Sequence, residues 1–192
     1  METQRPTLEE VTESTKKGNT TWPDVRVNMD TKRKLAAMEK NQKLTNWRLG
    51  DHAIEFIVNN LPIGSKILEF GSGLGSMMLY ARGFELLSIE EDPYYINFCH
   101  TNYCLAKIKD EWYDIEAVKN SIKEKTFDAF IIDGPAKGKR SKILSHDFID
   151  FDMPKFIIVD DINREKDSTL FNTLKQNKVH INHKNYGVIF ND

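Results

Sequence analysis

Apolar positions are scarce in the first twenty residues, METQRPTLEEVTESTKKGNT. Ordering such a stretch costs about 1–2 kcal/mol per residue with little burial in return, so residues 1–29 are expected to form a mobile tail ahead of a single domain at 30–192. From Asp30, TKRKLAAMEKNQKL reads as a short basic helix. The first clear amphipathic period follows in LTNWRLGDHAIEFIVNNLP, where Ala53, Ile54, Ile57, Val58 and Leu61 share one face. Pro62 and Gly64 stop that helix. Strand and helix signals then alternate to the C-terminus, the pattern of a mostly parallel α/β sheet. Seven strands are predicted, at 66–70, 85–89, 103–108, 127–133, 155–160, 178–182 and 186–190. Several are apolar throughout, as strands covered on both faces are. Only His183, Lys184 and Asn185 separate the last two, which is too short for a helical crossover and implies an antiparallel hairpin.

Composition narrows the class. A length of 192 residues suits one core, and 29% charged residues with a mean hydropathy of -0.52 suggest a soluble fold carrying a polar appendage. Twenty-seven basic against 29 acidic residues leave a net charge of -2, so there is no whole-protein footprint for nucleic acid, though a local basic patch is compatible with it. Cys99 and Cys104 read as reduced thiols. No signal-peptide core and no run of about 18 apolar residues is found, so membrane insertion is not expected and a cytoplasmic location is.

The chemistry is concentrated in KILEFGSGLGSMMLYARGFELLSIEEDPYY: a strand, a glycine-rich turn, a helix, and a second strand ending in acids. Gly71, Gly73 and Gly75 allow a ligand to lie against the backbone where the first strand gives way to the helix. Glu90, about 20 residues beyond Gly71, stands where a carboxylate accepts hydrogen bonds from ribose hydroxyls. A dinucleotide turn, G-x-G-x-x-G, needs a glycine where this chain has Ser76. Glu69 also brings negative charge towards a pyrophosphate, whereas it suits the amino group of a methionine moiety. S-adenosylmethionine therefore fits better than a nicotinamide dinucleotide. An NAD(P)-dependent oxidoreductase and a non-catalytic nucleoside-binding protein are the alternatives.

This run resembles motif I and the acidic second-strand motif of class I S-adenosylmethionine-dependent methyltransferases. The similarity continues through AKIKDEWYDI, FDAFIIDGP and IIVDDINR, in the order of the LEFGSG, VEHDP, WYD, IDGP and DD-x-x-R blocks of small bacterial-type members, and covers about 45–190. The resemblance implies a Rossmann-like seven-stranded sheet, mostly parallel with an antiparallel last strand, helices on both faces and an N-terminal helical extension. Its cofactor-binding core would span about 64–135. It implies Glu69, Gly71, Ser72, Gly73, Gly75 and Ser76 as the methionine-side cradle and Glu90 as the ribose ligand. Glu91 and Asp92 would then lie beside the adenosine, with Ala106, Lys107 and Ile108 at the adenine edge. Leu74, Gly75 and Ser76 depart from the Ser-Thr often found after the second motif glycine.

Asp133 ends the fourth predicted strand, and Asp160 with Asp161 ends the fifth, so three carboxylates are expected at the ligand-binding edge of the sheet. They suit a magnesium ion, as in catechol-type O-methyltransferases, which resemble this chain in placing acids at those strand ends. Equally, Asp133 or Asp160 accepts a substrate proton without metal, or the acids merely cap the following loops. Lys137, Lys139, Arg140 and Lys142 crowd one loop above the expected methyl group, with Arg140 the candidate for a bidentate anion contact or the loop simply solvated. Trp47, Trp112 and Tyr113 either line a pocket or pack in the core, and His146 is a candidate base. The expected reaction is methyl transfer to an oxygen or nitrogen of a small acceptor, sugar-like or anionic.

Overall fold

The computed structural model describes residues 49–97, 99 and 102–191. The expected tail, the basic helix after Asp30 and Trp47 lie outside them. Helix α1 (Asp51–Asn60) buries Ala53, Ile54 and Ile57, three of the positions picked out by the helical period. Strand β1 (Lys66–Phe70) leads through the glycine turn into α2 (Leu74–Ala81), and β2 (Glu85–Glu90) and the short β3 (Tyr103–Leu105) follow. A small hairpin, β4 (Ile108–Lys109) with β5 (Trp112–Tyr113), precedes α3 (Ile115–Ile122) and β6 (Ala129–Ile132). Then come β7 (Phe156–Asp160), α4 (Glu165–Leu174), β8 (His180–Asn182) and β9 (Tyr186–Phe190).

Seven strands form one sheet in the order β3-β2-β1-β6-β7-β9-β8. The first five are mutually parallel, and β9 runs antiparallel to both β7 and β8. The fold is the expected Rossmann-like one. Burial explains why it is held on both faces: Leu68 and Phe70 point into one apolar cluster with α3 and α4, whereas Ile67 points into the other with α1 and α2. Each such side chain, fully buried, contributes about 1.5–3 kcal/mol. Among the described residues, no helix is long and apolar enough to cross a membrane.

The third strand is shorter than the expected 103–108. After Leu105 the chain leaves the sheet, and Asp110 and Glu111, with φ of 50° and 69°, turn it back so that Ile108 pairs with Tyr113. From β3 the chain returns to the far side of β1 as β6. That reversal opens a crevice at the carboxyl ends of β1 and β6, the place where open α/β sheets take ligands.

Candidate functional site

A cavity of about 940 Å³ occupies this crevice. Its size lies at the upper end of the range for small-molecule sites. Gly71, Ser72 and Gly73 line it from the β1–α2 turn, Glu90, Glu91 and Asp92 from the end of β2, Asp133 and Gly134 from β6, and Asp160 and Asp161 from β7. Arg164, Lys166 and the residues 183–186 close the other side.

The glycine turn is built by close backbone approach. Gly71 has φ 88°, and a β-carbon on it would lie 2.9 Å from the Gly134 nitrogen. A β-carbon on Gly134 would overlap the Tyr113 hydroxyl. Only glycine fits at this junction of β1 and β6. The turn is then tied to β2 through Glu90. Ser72 N–H donates to Glu90 Oε2 at 2.7 Å, and the N–H groups of Glu91 and Asp92 each donate to Oε1 at 2.8 Å. Burial pushes the Glu90 carboxyl up, and these amides pull against that shift.

Glu69 faces the other way. Its Oε2 accepts from Ser76 Oγ at 2.7 Å and Ser88 Oγ at 2.6 Å, while Ser76 Oγ itself accepts from Gly73 N–H at 3.0 Å. Glu69 is 3% exposed, and burial pushes its carboxyl up to about 8, against the pull of the two serines. Neither Glu69, Gly75 nor Ser76 lines the cavity; Gly75 instead packs on Leu49. Of the six residues expected in the cradle, Gly71, Ser72 and Gly73 line the cavity, Glu69 and Ser76 bond behind the turn, and Gly75 packs away from it.

The acids do converge: Asp133, Asp160 and Asp161 offer carboxylate oxygens within 4.8 Å of one another. Arg140 holds them. Its Nη1 donates to the Asp160 carbonyl at 2.8 Å, and its Nη2 donates to the Asp133 carbonyl, to Asp133 Oδ1 at 3.1 Å and to Asp161 Oδ2 at 3.3 Å. Its Nε lies 3.6 Å from Asp167 Oδ1. Arg164 adds ion pairs to Asp161 and, at 2.8 Å, to Asp167. Burial and the neighbouring Asp133 and Asp161 push the Asp160 carboxyl up to about 8. Burial also raises Asp133, with Arg140 opposing.

Arg140 lines the cavity, where an anion contact was expected, but its terminal nitrogens are taken up by Asp133, Asp160 and Asp161. At 3% exposure, with both terminal nitrogens engaged, it is a clamp across the β6 and β7 ends. The other cations of its loop separate: Lys139 pairs with Glu111 at 2.6 Å, Lys137 lines the cavity, and Lys142 is exposed. His146 does not line the cavity, its ring sitting 4.4 Å from Trp112, and burial lowers its pKa. Trp112 and Tyr113 are core residues, the Tyr113 hydroxyl buried behind Gly134 without a hydrogen-bond partner among the described residues. Ala106 is buried beside β2, its N–H donating to the Glu90 carbonyl. Sequence reasoning missed Arg164, Lys166, His183 and Lys184 as cavity residues. The signal was present in DDINREK, where cations follow Asp161 by three and five positions, but the His183–Lys184 turn carries no local mark beyond its brevity.

No family model and no curated protein matches the chain. Among solved structures it is similar to a TehB-like SAM-dependent methyltransferase from Corynebacterium glutamicum, with 13% identity over 83% of this chain and 98% of that one and a TM-score of 0.49. It is similar also to the MycE methyltransferase of the mycinamycin biosynthetic pathway in complex with Mg and SAH, at 11% identity, 99% and 58% coverage and a TM-score of 0.48. The chain spans little more than half the length of that protein. A third similar structure is CalS11, a TDP-rhamnose 3'-O-methyltransferase of calicheamicin biosynthesis, at 11% identity, 97% and 96% coverage and a TM-score of 0.46. At such identities and scores, residue roles rest on the geometry of this chain alone.

Proposed function

We propose that the protein transfers a methyl group from S-adenosylmethionine to an oxygen or nitrogen nucleophile of a small acceptor. The observation that carries this reading is the internal use of the glycine-turn amides. Ser72 N–H is given to Glu90 and Gly73 N–H to Ser76, so two donors that would hold a dinucleotide pyrophosphate are already engaged. The same contacts place a carboxylate beside the turn, which suits a ribose. The motif resemblance from LEFGSG to DD-x-x-R supports the same class.

S-adenosylmethionine, when bound, supplies an electrophilic methyl group on a sulfonium. The chain supplies the rest. Gly71, Ser72 and Gly73 admit the cofactor against the backbone, and Glu90 takes the ribose hydroxyls in exchange for part of its present amide bonds. Asp133 and Asp160 lie too close for both to ionise readily, so the pair keeps one proton and one accepting oxygen for the proton of the nucleophile. Arg140 acts as a positioning residue for both. The three carboxylates are hard oxygen donors of the kind magnesium takes. Arg140 already brings positive charge to Asp133 and Asp161, however, so the reading is metal-free and a metal would have to displace that guanidinium.

Isothermal titration with S-adenosylhomocysteine and with NADH tests the reading. Binding of the first and not the second is expected, unchanged by magnesium or EDTA. NADH binding without S-adenosylhomocysteine binding would transfer the chain to the oxidoreductases. Cofactor binding with no turnover of any acceptor would make it a nucleoside-binding protein.

A further inference from the structure

We propose that the β7–β9 side of the cavity is an anion subsite, in which Lys166 and Lys184 take a phosphate or carboxylate group of the acceptor. Calling that anion part of the acceptor rests on the methyl-transfer reading; the subsite itself does not.

The cavity is divided by charge. Its β1–β2 end is lined by Glu90, Glu91 and Asp92, with Lys137 the one cation there among the described residues, its N–H donating to Glu91 Oε1 at 3.2 Å, and its far end by Arg164, Lys166, His183 and Lys184. The cations are not equivalent. Arg140 and Arg164 are committed to Asp133, Asp161 and Asp167. Lys166 and Lys184 are exposed, line the same cavity, and have no ion-pair partner among the described residues. Two lysines on one side of the cavity, neither held in an ion pair among the described residues, attract an anion that enters there.

The wall is also fixed. Ile162 N–H donates to the Asn185 carbonyl at 2.9 Å, and His183 N–H to the Tyr186 carbonyl at 3.0 Å. The His183 ring stacks on Tyr186 with centroids 4.3 Å apart, and the Tyr186 hydroxyl donates to the His52 carbonyl at 3.2 Å. The loop after β7 and the β8–β9 turn are therefore one joined surface, so the lysines are anchored at their backbones before a ligand arrives. Between this surface and the glycine turn lie Asp133 and Asp160, where the nucleophile is placed. The acceptor that fits has a hydroxyl or amine set apart from a phosphate or carboxylate.

The test uses the full chain and four titrants: pyrophosphate, malonate, S-adenosylhomocysteine and NADH. Pyrophosphate or malonate should bind the parent, and whichever binds more tightly names the anion. In Lys166→Ala/Lys184→Ala that affinity should fall about tenfold or more, with S-adenosylhomocysteine binding unchanged. The control Lys119→Ala/Lys123→Ala removes two exposed cations from α3 and its C-terminal cap, neither of which lines this cavity, and should match the parent. Absence of anion binding by the parent, equal binding by the lysine variant, or the same loss in the control overturns the subsite. Lysine-dependent anion binding without S-adenosylhomocysteine binding keeps the subsite and removes the methyl-transfer reading. All four lysines are exposed, so loss of folding is not expected from either double variant.

Discussion

At the β1–β2 end of the cavity, the ligand space is shaped by backbone. Gly71 and Gly134 lie against each other, and the amides of Ser72, Glu91 and Asp92 converge on one carboxylate. At the β6–β7 end it is shaped by charge, with Arg140 and Arg164 set among Asp133, Asp161 and Asp167. The first end tolerates no added atom, and the second tolerates no lost charge. A backbone site therefore fails by steric overlap, whereas a charged site fails by leaving buried partners unanswered.

The largest effect is expected at the charged end. Arg140→Met keeps the apolar stem but leaves Asp133 without its cation and Asp167 with Arg164 alone, and stability should fall by about 3–5 kcal/mol. Thermal denaturation should show a drop of about 6–20 °C for a chain of this size. A drop of less than about 2 °C would show that the clamp is dispensable. Next, at the backbone end, Gly134→Ala forces a methyl group onto Gly71 and the Tyr113 hydroxyl, at a cost of about 1–3 kcal/mol. The combined variant Gly134→Ala/Tyr113→Phe should recover part of that loss, and no recovery would locate the strain elsewhere.

An effect that depends on pH separates Glu69 from both ends. Its carboxyl titrates at about 8 when folded, against 4.5 as its ordinary value. Between those values the unfolded chain has released this proton and the folded chain has kept it. The stability tied to Glu69 is therefore fully present below about pH 4.5 and is lost as pH rises towards 8, on the order of a few kcal/mol. Glu69→Gln should flatten that fall in urea denaturation between pH 5 and 9, leaving the slope contributed by Asp160. A Gln variant parallel to the parent at every pH would contradict the buried acid. The smallest effect belongs to Tyr113→Phe, which removes a buried hydroxyl without a partner and should leave urea stability within about 1 kcal/mol, on the stabilising side.

The same contrast explains what could be read in advance. Strands β1, β2, β7 and β9 begin and end within a residue of their sequence expectation because each is an apolar run stopped by a turn residue or an acid. The glycine turn and Glu90 were legible because backbone sites require particular residues at fixed spacing. The inward direction of Glu69 was available too: strand alternation sets it opposite Leu68 and Phe70, on the face covered by α2. Arg140 was not legible as a clamp, since Asp167 lies 27 positions away and only the packing of α4 beneath β7 brings them together. Nor does anything local join Lys166 to Lys184, because their shared wall exists only once β9 has inserted between β7 and β8. The hairpin at 108–113 was hidden by the apolar continuation through Ala106 and Ile108, which reads as more strand.

The proposed division of the cavity into a backbone-built nucleoside end and a charge-built acceptor end is tested most directly by nitrogen-15 NMR of the labelled chain during titration with S-adenosylhomocysteine. The amide signals of Ser72, Glu91 and Asp92, all now donating to Glu90, should shift together, with Lys166 and Lys184 unmoved. Shifts confined to Lys166 and Lys184, or none at the Glu90 amides at saturating ligand, would contradict it.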